Sequence, residues 1–164
     1  MPHPGPPKIR PMRGSDTSWL LALNRRFETE LSPLDATRLA WLQDQAFATF
    51  VAVPEAGMLI TFDQGSAYDS PNFLWFKARY ERFAYIDRVA VDPGWAGRGV
   101  AAALYEAFFA QARAAGHSLA VCEVNAEPPN PGSDRFHARL GFEQVGEAAL
   151  AGAGKKVRYF AKEL

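Results

Sequence analysis

The sequence predicts a single domain of mixed α and β structure with about seven strands. With 164 residues, 48% of them hydrophobic, one domain of ordinary size can bury a core. Seven short runs have the composition and length of strands, and amphipathic helix patterns separate several of them. In addition, residues 85–109 (YIDRVAVDPGWAGRGVAAALYEAFF) have the pattern of a strand, then a glycine turn, then a helix.

The N-terminal half is predicted to contain a strand at about residues 8–12, a helix at 16–26, and then a second helix. Ser32 and Asp35 have the spacing of a capping box, and Pro33 suits the first helical position. This pattern predicts a helix from Ser32 to about residue 46. A hairpin of residues 47–54 and 57–63 follows. The Pro-rich residues 1–7 are expected to be a flexible lead before a domain of residues 8–164.

The glycine turn is the most informative segment. Gly97 and Gly99 permit positive φ and close approach of a ligand to the main chain, and the helix start supplies unpaired N–H groups. Such a turn favours a phosphate or pyrophosphate, although two glycines can also serve only to connect a strand to a helix. The rest of the chain continues with a strand at 118–125, the loop AEPPNPG, a short helix at 133–142 and two further strands.

In this order the segments resemble the GNAT superfamily of N-acetyltransferases. That family carries a motif of Gln or Arg, two variable residues, Gly, any residue and Gly or Ala. A second motif downstream has Asn, a small residue, an aromatic pair and Leu-Gly-Phe. Gly99, Val100 and Ala101 fit the first motif. The second is matched by Asn130, Ser133, Phe136, His137, Leu140, Gly141 and Phe142. The segments YDSPN, YIDR, CEVN and PPNP are similar to a bacterial subgroup of the family.

The resemblance implies a GNAT-like fold: a mostly antiparallel sheet of about seven strands with two splayed central strands, and helices on both faces. It also implies acetyl-CoA as co-substrate, transfer of acetyl to a primary amine, and no metal. The residues expected to contact acetyl-CoA are Val89, Ala90, Val91, Ala96, Gly97, Arg98, Gly99, Val100, Ala101, Asn130, Ser133, Phe136 and His137. At Ala96 the chain departs from the Gln or Arg of the motif, so the main-chain amides must bind the pyrophosphate.

Two carboxylates are candidates for the general base that removes a proton from the attacking amine. Alternation along the strand predicts Tyr85, Asp87, Val89 and Val91 on one face, with Asp87 as its carboxylate. Glu123 lies within the apolar strand that follows the long helix. A carboxylate in such a strand is costly unless it is paired or functional, so either one could instead be an ion-pair partner.

His137 stands where many family members have a tyrosine that protonates the departing thiolate. It could donate a proton to the sulfur, or only hydrogen-bond the co-substrate. The acceptor itself is open: free amino acid, polyamine, amine-bearing antibiotic and protein N-terminus all fit. We expect its contacts to come from Tyr68, Asp69, Asn72, Trp75, Phe76, Tyr85 and Asn125. Residues 68–76 are an insertion that either lines this pocket or only covers the sheet.

Composition limits the other partners. The 18 basic and 18 acidic residues give zero formal net charge, which indicates neither nucleic acid nor a membrane surface as partner. One cysteine, Cys122, permits no internal disulfide, and the chain has neither a leader-like apolar segment nor a membrane-length run, so we expect a cytoplasmic protein. The C-terminal strand KKVRYFAKEL could pair at a sheet edge in a homodimer, or be an ordinary strand of one sheet.

Two other function classes fit parts of the sequence. A non-catalytic acyl-CoA-binding or sensing module would explain Ala96 and His137. GRGVAA also matches the dinucleotide fingerprint GxGxxG/A, with Glu123 as its acidic residue, which would indicate an oxidoreductase. However, five residues separate the strand from this turn, and too few units follow Glu123 for a nucleotide fold.

Overall fold

The fold is built on one seven-stranded sheet. The computed structural model describes residues 5–127, 129–150 and 155–164. Its strands are β1 (Lys8–Pro11), β2 (Ala48–Val53), β3 (Gly57–Asp63), β4 (Ala84–Val91), β5 (Leu119–Glu127), β6 (Glu143–Leu150) and β7 (Lys155–Glu163). The strand order is β1-β2-β3-β4-β5-β7-β6, and every neighbouring pair is antiparallel except β4 with β5. The predicted mixed fold with a mostly antiparallel sheet is confirmed.

Within the described residues, five α-helices cover the two faces of the sheet. They are α1 (Thr17–Arg26), α2 (Ala36–Gln45), α3 (Pro71–Lys77), α4 (Val100–Ala114) and α5 (Pro131–Arg139). One core lies under α4 and includes Leu104, Phe108 and Ile86. The other lies under α1, α2 and α3, where Leu20, Leu42 and Phe76 are among the side chains that are fully buried. In the described ranges, no helix is both long enough and apolar enough to cross a membrane.

The second helix begins later than the sequence predicts. The N-cap of α2 is Asp35, whose side chain accepts a hydrogen bond of 2.7 Å from the Arg38 amide, so the predicted start at Ser32 is wrong. Ser32 does not cap the helix because its hydroxyl accepts a 2.9 Å bond from the guanidinium of Arg88 on β4. A tertiary hydrogen bond has therefore replaced the local one that the sequence pattern favours.

The C-terminal strand does not provide a free edge. β7 lies between β5 and β6 and pairs with both, so the interpretation of KKVRYFAKEL as a dimer-forming edge is wrong. The alternative, an ordinary strand within one sheet, is the arrangement observed. Residues 1–4 of the predicted lead lie outside the described residues, and residues 5–7 precede β1.

Candidate active site

A cavity lies where β4 and β5 separate. These two strands pair only at Ala84 with Ala120 and Tyr85 with Val121. Beyond these pairs the two strands diverge, which is the splayed arrangement expected. The opening, here called the interstrand cavity, is lined by the two strands, by the α1–α2 connection and by α4 and α5. Its polar lining includes Glu30, Asp87, Arg88, Tyr105, Glu123, Asn125, Asn130, Ser133 and His137.

A β-bulge at Asp87 changes which side chains share a face. Ile60 of β3 pairs with Arg88, but the next residue, Thr61, pairs with Ile86, so Asp87 has no partner of its own. The extra residue shifts the alternation of β4. Tyr85 packs in the core under α1, α2 and α3, whereas Val89 and Val91 pack against the core under α4. The prediction that these residues share one face with Asp87 is therefore wrong.

Asp87 is tied into an ion pair beside the cavity. Its Oδ2 accepts a 2.9 Å hydrogen bond from Nε of Arg88, and its Oδ1 accepts one of 2.7 Å from the Tyr68 hydroxyl. Only 6% of the Asp87 side chain and 4% of the Arg88 side chain are exposed. Breaking such a buried pair leaves an uncompensated charge, so Asp87 and Arg88 have a structural role whatever else they do.

Arg88 also positions the connection between α1 and α2. Its guanidinium donates to Oδ1 of Asn24 at 2.9 Å, to the Ser32 carbonyl at 3.1 Å and to the Ser32 hydroxyl at 2.9 Å. These bonds hold the preceding residues Glu30 and Leu31 at the cavity. Neither residue was among the predicted contacts, since no local sequence pattern relates the α1–α2 connection to β4.

Glu123 on β5 has a different electrostatic environment. Its Oε2 accepts a 2.7 Å bond from the Tyr85 hydroxyl, and its Oε1 accepts one of 3.3 Å from the Asn72 amide. Burial, together with the negative charge of Asp87, raises the pKa of Glu123 to about 8. This value lies in the range where a carboxylate can take a proton from an amine near neutral pH.

The insertion at residues 68–76 covers the sheet and contacts the two carboxylates of the cavity. Asn72 at the start of α3 donates to Glu123 and accepts a 2.9 Å bond from the Tyr159 hydroxyl. Trp75 stacks on Tyr159 with ring centroids 4.2 Å apart, and a Cβ on Gly146 of β6 would overlap the Trp75 ring. The insertion therefore covers the sheet, and it reaches the cavity through the hydrogen bonds of Tyr68 and Asn72 to the two carboxylates; its role in acceptor binding stays a prediction.

Among the described residues that line the cavity, Asn125 is the one predicted acceptor contact, and Phe76 and Asp69 are held away from it. Phe76 is fully buried in the core under α3, so it has no surface for a ligand. Asp69 is exposed over 80% of its side chain and lies 3.6 Å from Arg38 of α2. Neither side chain lines the cavity, because the short helix α3 turns Phe76 inward and leaves Asp69 in the loop before it.

His137 is buried, and both of its ring nitrogens have partners. Nδ1 lies 2.8 Å from the Ser133 carbonyl, which can only accept, so Nδ1 carries the proton and donates. Nε2 lies 2.8 Å from the Tyr105 hydroxyl, which therefore donates to the neutral ring. Burial lowers the pKa of His137, which favours this neutral form. In this state His137 has no proton that points toward a ligand.

Tyr105 is a cavity residue that the sequence predictions missed. It lies on the buried face of α4, with neighbours such as Leu104 and Phe108, and its ring is 1% exposed. A tyrosine on an apolar helix face indicates a buried polar partner nearby, since its hydroxyl needs a hydrogen-bond partner when buried. The partner, His137, lies 32 residues away in sequence and could not be identified from a local pattern.

The glycine turn forms an open cradle at the start of α4. Gly97 and Gly99 have φ of 75° and 77°, and Gly99 is the N-cap of the helix. Apart from each glycine and its two chain neighbours, no atom of the described residues lies within 4 Å of the position that a Cβ on either glycine would take. The unpaired amides at the helix start therefore face space in which an anion can bind. A second cavity here is lined by residues that include Val91, Ala96, Gly97, Gly99, Val100, Ala101, Phe136 and Arg139.

The remaining predicted contacts lie near these two cavities. Val89 and Asn125 line the interstrand cavity, and Ala90 is a buried residue of β4. Arg98 is exposed in the turn, with its guanidinium 5.3 Å from the Trp95 ring centroid. The Asn130 side chain caps α5 by accepting a 3.2 Å bond from the Ser133 amide, so this residue also has a structural function.

Comparison with solved structures identifies relatives of this fold. The protein yncA of Salmonella typhimurium, a putative acetyltransferase solved with its cofactor acetyl-CoA, superposes with a TM-score of 0.71 at 18% identity over 96% of this chain and 94% of that one. The ribosomal-protein-S18-alanine N-acetyltransferase of Escherichia coli gives 0.70 at 18% identity, over 96% and 93%. The ribosomal-protein-alanine N-acetyltransferase of Brucella melitensis gives 0.72 at 21%, over 96% and 99%.

The sequence comparisons define the family. None of the curated proteins matches this chain. The model of the Acetyltransferase (GNAT) family matches residues 17–142, which include the glycine turn, both separating strands and α5. Since this match covers most of the chain, the protein belongs to the GNAT family of acetyltransferases.

Proposed function

We propose that this protein transfers the acetyl group of acetyl-CoA to a primary amine by direct attack within a ternary complex, with Glu123 as the general base. The proposal depends mainly on one observation. The Glu123 carboxylate, with its pKa raised to about 8, lines the cavity between the two separated strands. Direct attack requires the neutral amine and the thioester to be held together in such a space.

The two cavities suit the two parts of acetyl-CoA. Open amides at Gly97, Gly99 and the start of α4 would bind the pyrophosphate, with Arg98 and Arg139 as nearby cations. The diverging main chain of β4, at Val89 to Val91, would bind the pantetheine. No Gln or Arg is needed at Ala96, which is exposed in the turn. Bound there, acetyl-CoA supplies the activated acetyl group.

Glu123 is favoured over Asp87 as the base because their environments differ. Asp87 is paired with the Arg88 guanidinium and hydrogen-bonded by Tyr68, so both of its carboxylate oxygens are already engaged. Glu123 has no cation within its hydrogen-bond contacts, which are Tyr85 and Asn72. In this proposal Asp87 acts on catalysis indirectly, since its negative charge helps to raise the pKa of Glu123.

The proton donor to the departing thiolate is proposed to be Tyr105 and not His137. The Tyr105 hydroxyl lines the cavity, whereas both nitrogens of His137 are engaged with Tyr105 and Ser133. Burial raises the pKa of Tyr105, so its hydroxyl keeps its single proton. That proton is donated to Nε2 of His137 in this structure and would turn to the sulfur as the thiolate departs. His137 then orients Tyr105. In this arrangement Tyr105 takes the role of the tyrosine that many family members have at the position of His137.

Two other functions are tested by the same experiment. A module that only binds acyl-CoA would use the cradle without the Glu123 network. An oxidoreductase is disfavoured by the mostly antiparallel sheet, and by the helical turn at Pro93–Trp95 that separates β4 from the glycines.

The experiment begins with the purified protein and titrations of acetyl-CoA and NAD, followed by thermal shift. Thiol release from acetyl-CoA is then measured with a panel of amines. We expect stabilisation by acetyl-CoA only, and amine-dependent thiol release. Binding without transfer to any amine would indicate the sensing module, and stabilisation by NAD alone would contradict the proposal.

A further inference from the structure

The interstrand cavity has an unequal distribution of charge. Three carboxylates, those of Glu30, Asp87 and Glu123, line it, and Glu30 is exposed at the α1–α2 connection. Among the described residues that line the cavity, Arg88 is the only arginine or lysine. Burial lowers the pKa of His137 and so favours its neutral form.

Arg88 is already used by the protein. Its guanidinium donates four hydrogen bonds, one to Asp87, one to Asn24 and two to Ser32, and its side chain is 4% exposed. The charge of Asp87 balances its own at a distance of 2.9 Å. A ligand carboxylate could gain Arg88 only by displacing Asp87 or the α1–α2 connection, which would leave buried groups without partners.

We infer that the acceptor is a cationic amine that has no carboxylate next to its reacting nitrogen, such as a peptide N-terminus or an alkyl amine, and that free α-amino acids are poor acceptors. This inference rests on the proposed function and specifies its substrate class. When Glu123 is ionised, the form in which it acts as a base, an α-amino acid would bring its carboxylate close to Glu123 in a cavity that Glu30 also lines, without a free cation to pair with.

Amines without the carboxylate meet no such penalty. An ammonium group is attracted by the same carboxylates, and an adjacent amide or methylene carries no charge to be desolvated. Specificity would then arise from like-charge repulsion as much as from attraction, as is common when a site must reject a close analogue of its ligand.

The test uses matched triplets of acceptors that share a side chain: the amino acid, its amide and the corresponding decarboxylated amine. Alanine, leucine, phenylalanine and arginine provide a small, an aliphatic, an aromatic and a basic series. Thiol release from acetyl-CoA gives kcat/KM for each. The decarboxylated amine is the essential member, because its ammonium titrates at least as high as that of the amino acid, whereas the amine of the amide titrates lower.

In every series that reacts, we expect the amide and the decarboxylated amine to exceed the amino acid by about tenfold or more in kcat/KM. An amino acid that matches its decarboxylated amine would overturn the inference and leave the acetyltransferase proposal standing. A faster amide without a faster decarboxylated amine would also overturn it, since the pKa of the amine would then explain the preference. If no amine in the panel caused thiol release, both this inference and the acetyltransferase proposal would be rejected.

Glu30 allows a second, independent test. Because its side chain is exposed, the Glu30→Gln substitution should preserve the fold and narrow the discrimination by about two- to fivefold, mostly through faster acetylation of amino acids. The matched control is Glu28→Gln, which changes an exposed carboxylate that does not line the cavity. Equal effects of the two substitutions would contradict a role for the charge of the cavity.

Discussion

The Glu123→Gln substitution tests the proposed base, and the structure predicts opposite effects on activity and stability. Glutamine has nearly the same shape, and it can still accept from the Tyr85 hydroxyl while a rotated Asn72 amide accepts from it. Removal of a general base typically costs about 10²- to 10⁴-fold in rate. We therefore expect kcat to fall by at least about a hundredfold in a protein that remains folded.

The pH dependence follows from the pKa of about 8. A general base acts in its deprotonated form, so the rate should rise with pH and level off above about pH 8. Only about a tenth of Glu123 is ionised at pH 7, and about half at pH 8. In Glu123→Gln this dependence should disappear, and only the titration of the acceptor amine should remain.

The effect on stability has the opposite sign. The pKa of Glu123 is about 8 in the folded protein, against the ordinary value of 4.5, so the folded state binds more protons between these two values. The free energy of unfolding must therefore decrease as pH rises from about 4.5 to 8 and change no further above that. The shift in pKa sets an upper limit of about 5 kcal/mol on this decrease in the free energy of unfolding. The actual decrease is smaller because the carboxylate faces a cavity.

We expect Glu123→Gln to be more stable than the wild type, with a gap that grows from pH 5 to pH 8. Steady-state kinetics and thermal unfolding across this range measure both effects. Glu127→Gln is the control, since Glu127 is an exposed carboxylate on the same strand. Parallel pH–rate profiles for wild type and Glu123→Gln, or a variant that is less stable at pH 8, would refute the assignment.

Three other substitutions address the cradle, the ion pair and the proton donor. Gly99→Ala, at a φ of 77°, costs about 1–2 kcal/mol of strain and should raise the Kd of acetyl-CoA about tenfold in a binding titration. Asp87→Asn leaves the Arg88 guanidinium without its charge partner and should lower the free energy of unfolding by about 3–5 kcal/mol in denaturant melts. Tyr105→Phe removes the hydroxyl bonded to His137 and should lower kcat about tenfold, with KM for acetyl-CoA unchanged in steady-state kinetics.

Each of these predictions has a comparison that can contradict it. Gly14→Ala places a methyl group in open space at a glycine without positive φ, and it should leave the Kd unchanged. If Asp87→Asn lost activity but not stability, Asp87 would be the base. If His137→Phe lowered kcat while Tyr105→Phe did not, the donor would be His137 after all.

Most strands and helices could be predicted because their patterns are local. The hairpin of β2 and β3 and the strand, glycine turn and helix around Gly99 follow from apolar periodicity and from the conformations that glycine permits. The start of α2 could not be predicted in this way. Ser32 and Pro33 form a sound local signal, but Arg88, 56 residues away from Ser32, provides a partner that the capping pattern cannot include.

The candidate site shows the same limit. Asp87 and Glu123 were recognisable as carboxylates in apolar strands, a feature that sequence displays directly. Which of the two is paired with a cation could not be recognised in the sequence, because the bulge at Asp87 and the pairing with Arg88 depend on how β3 and α1 meet β4. The sequence also placed His137 correctly in the motif but could not show that Tyr105 occupies its Nε2.

The sequence by itself determined the order of the elements, the family and the glycine turn that we propose binds the pyrophosphate, since these depend on residue periodicity and on glycines at fixed spacing. Only the tertiary structure decided which polar groups are paired. Asp87 pairs with the Arg88 guanidinium, whereas Glu123 accepts hydrogen bonds from two neutral donors and lies near the negative charge of Asp87. A pKa depends on distances between groups far apart in the chain, so proton affinity at this site is a property of the fold.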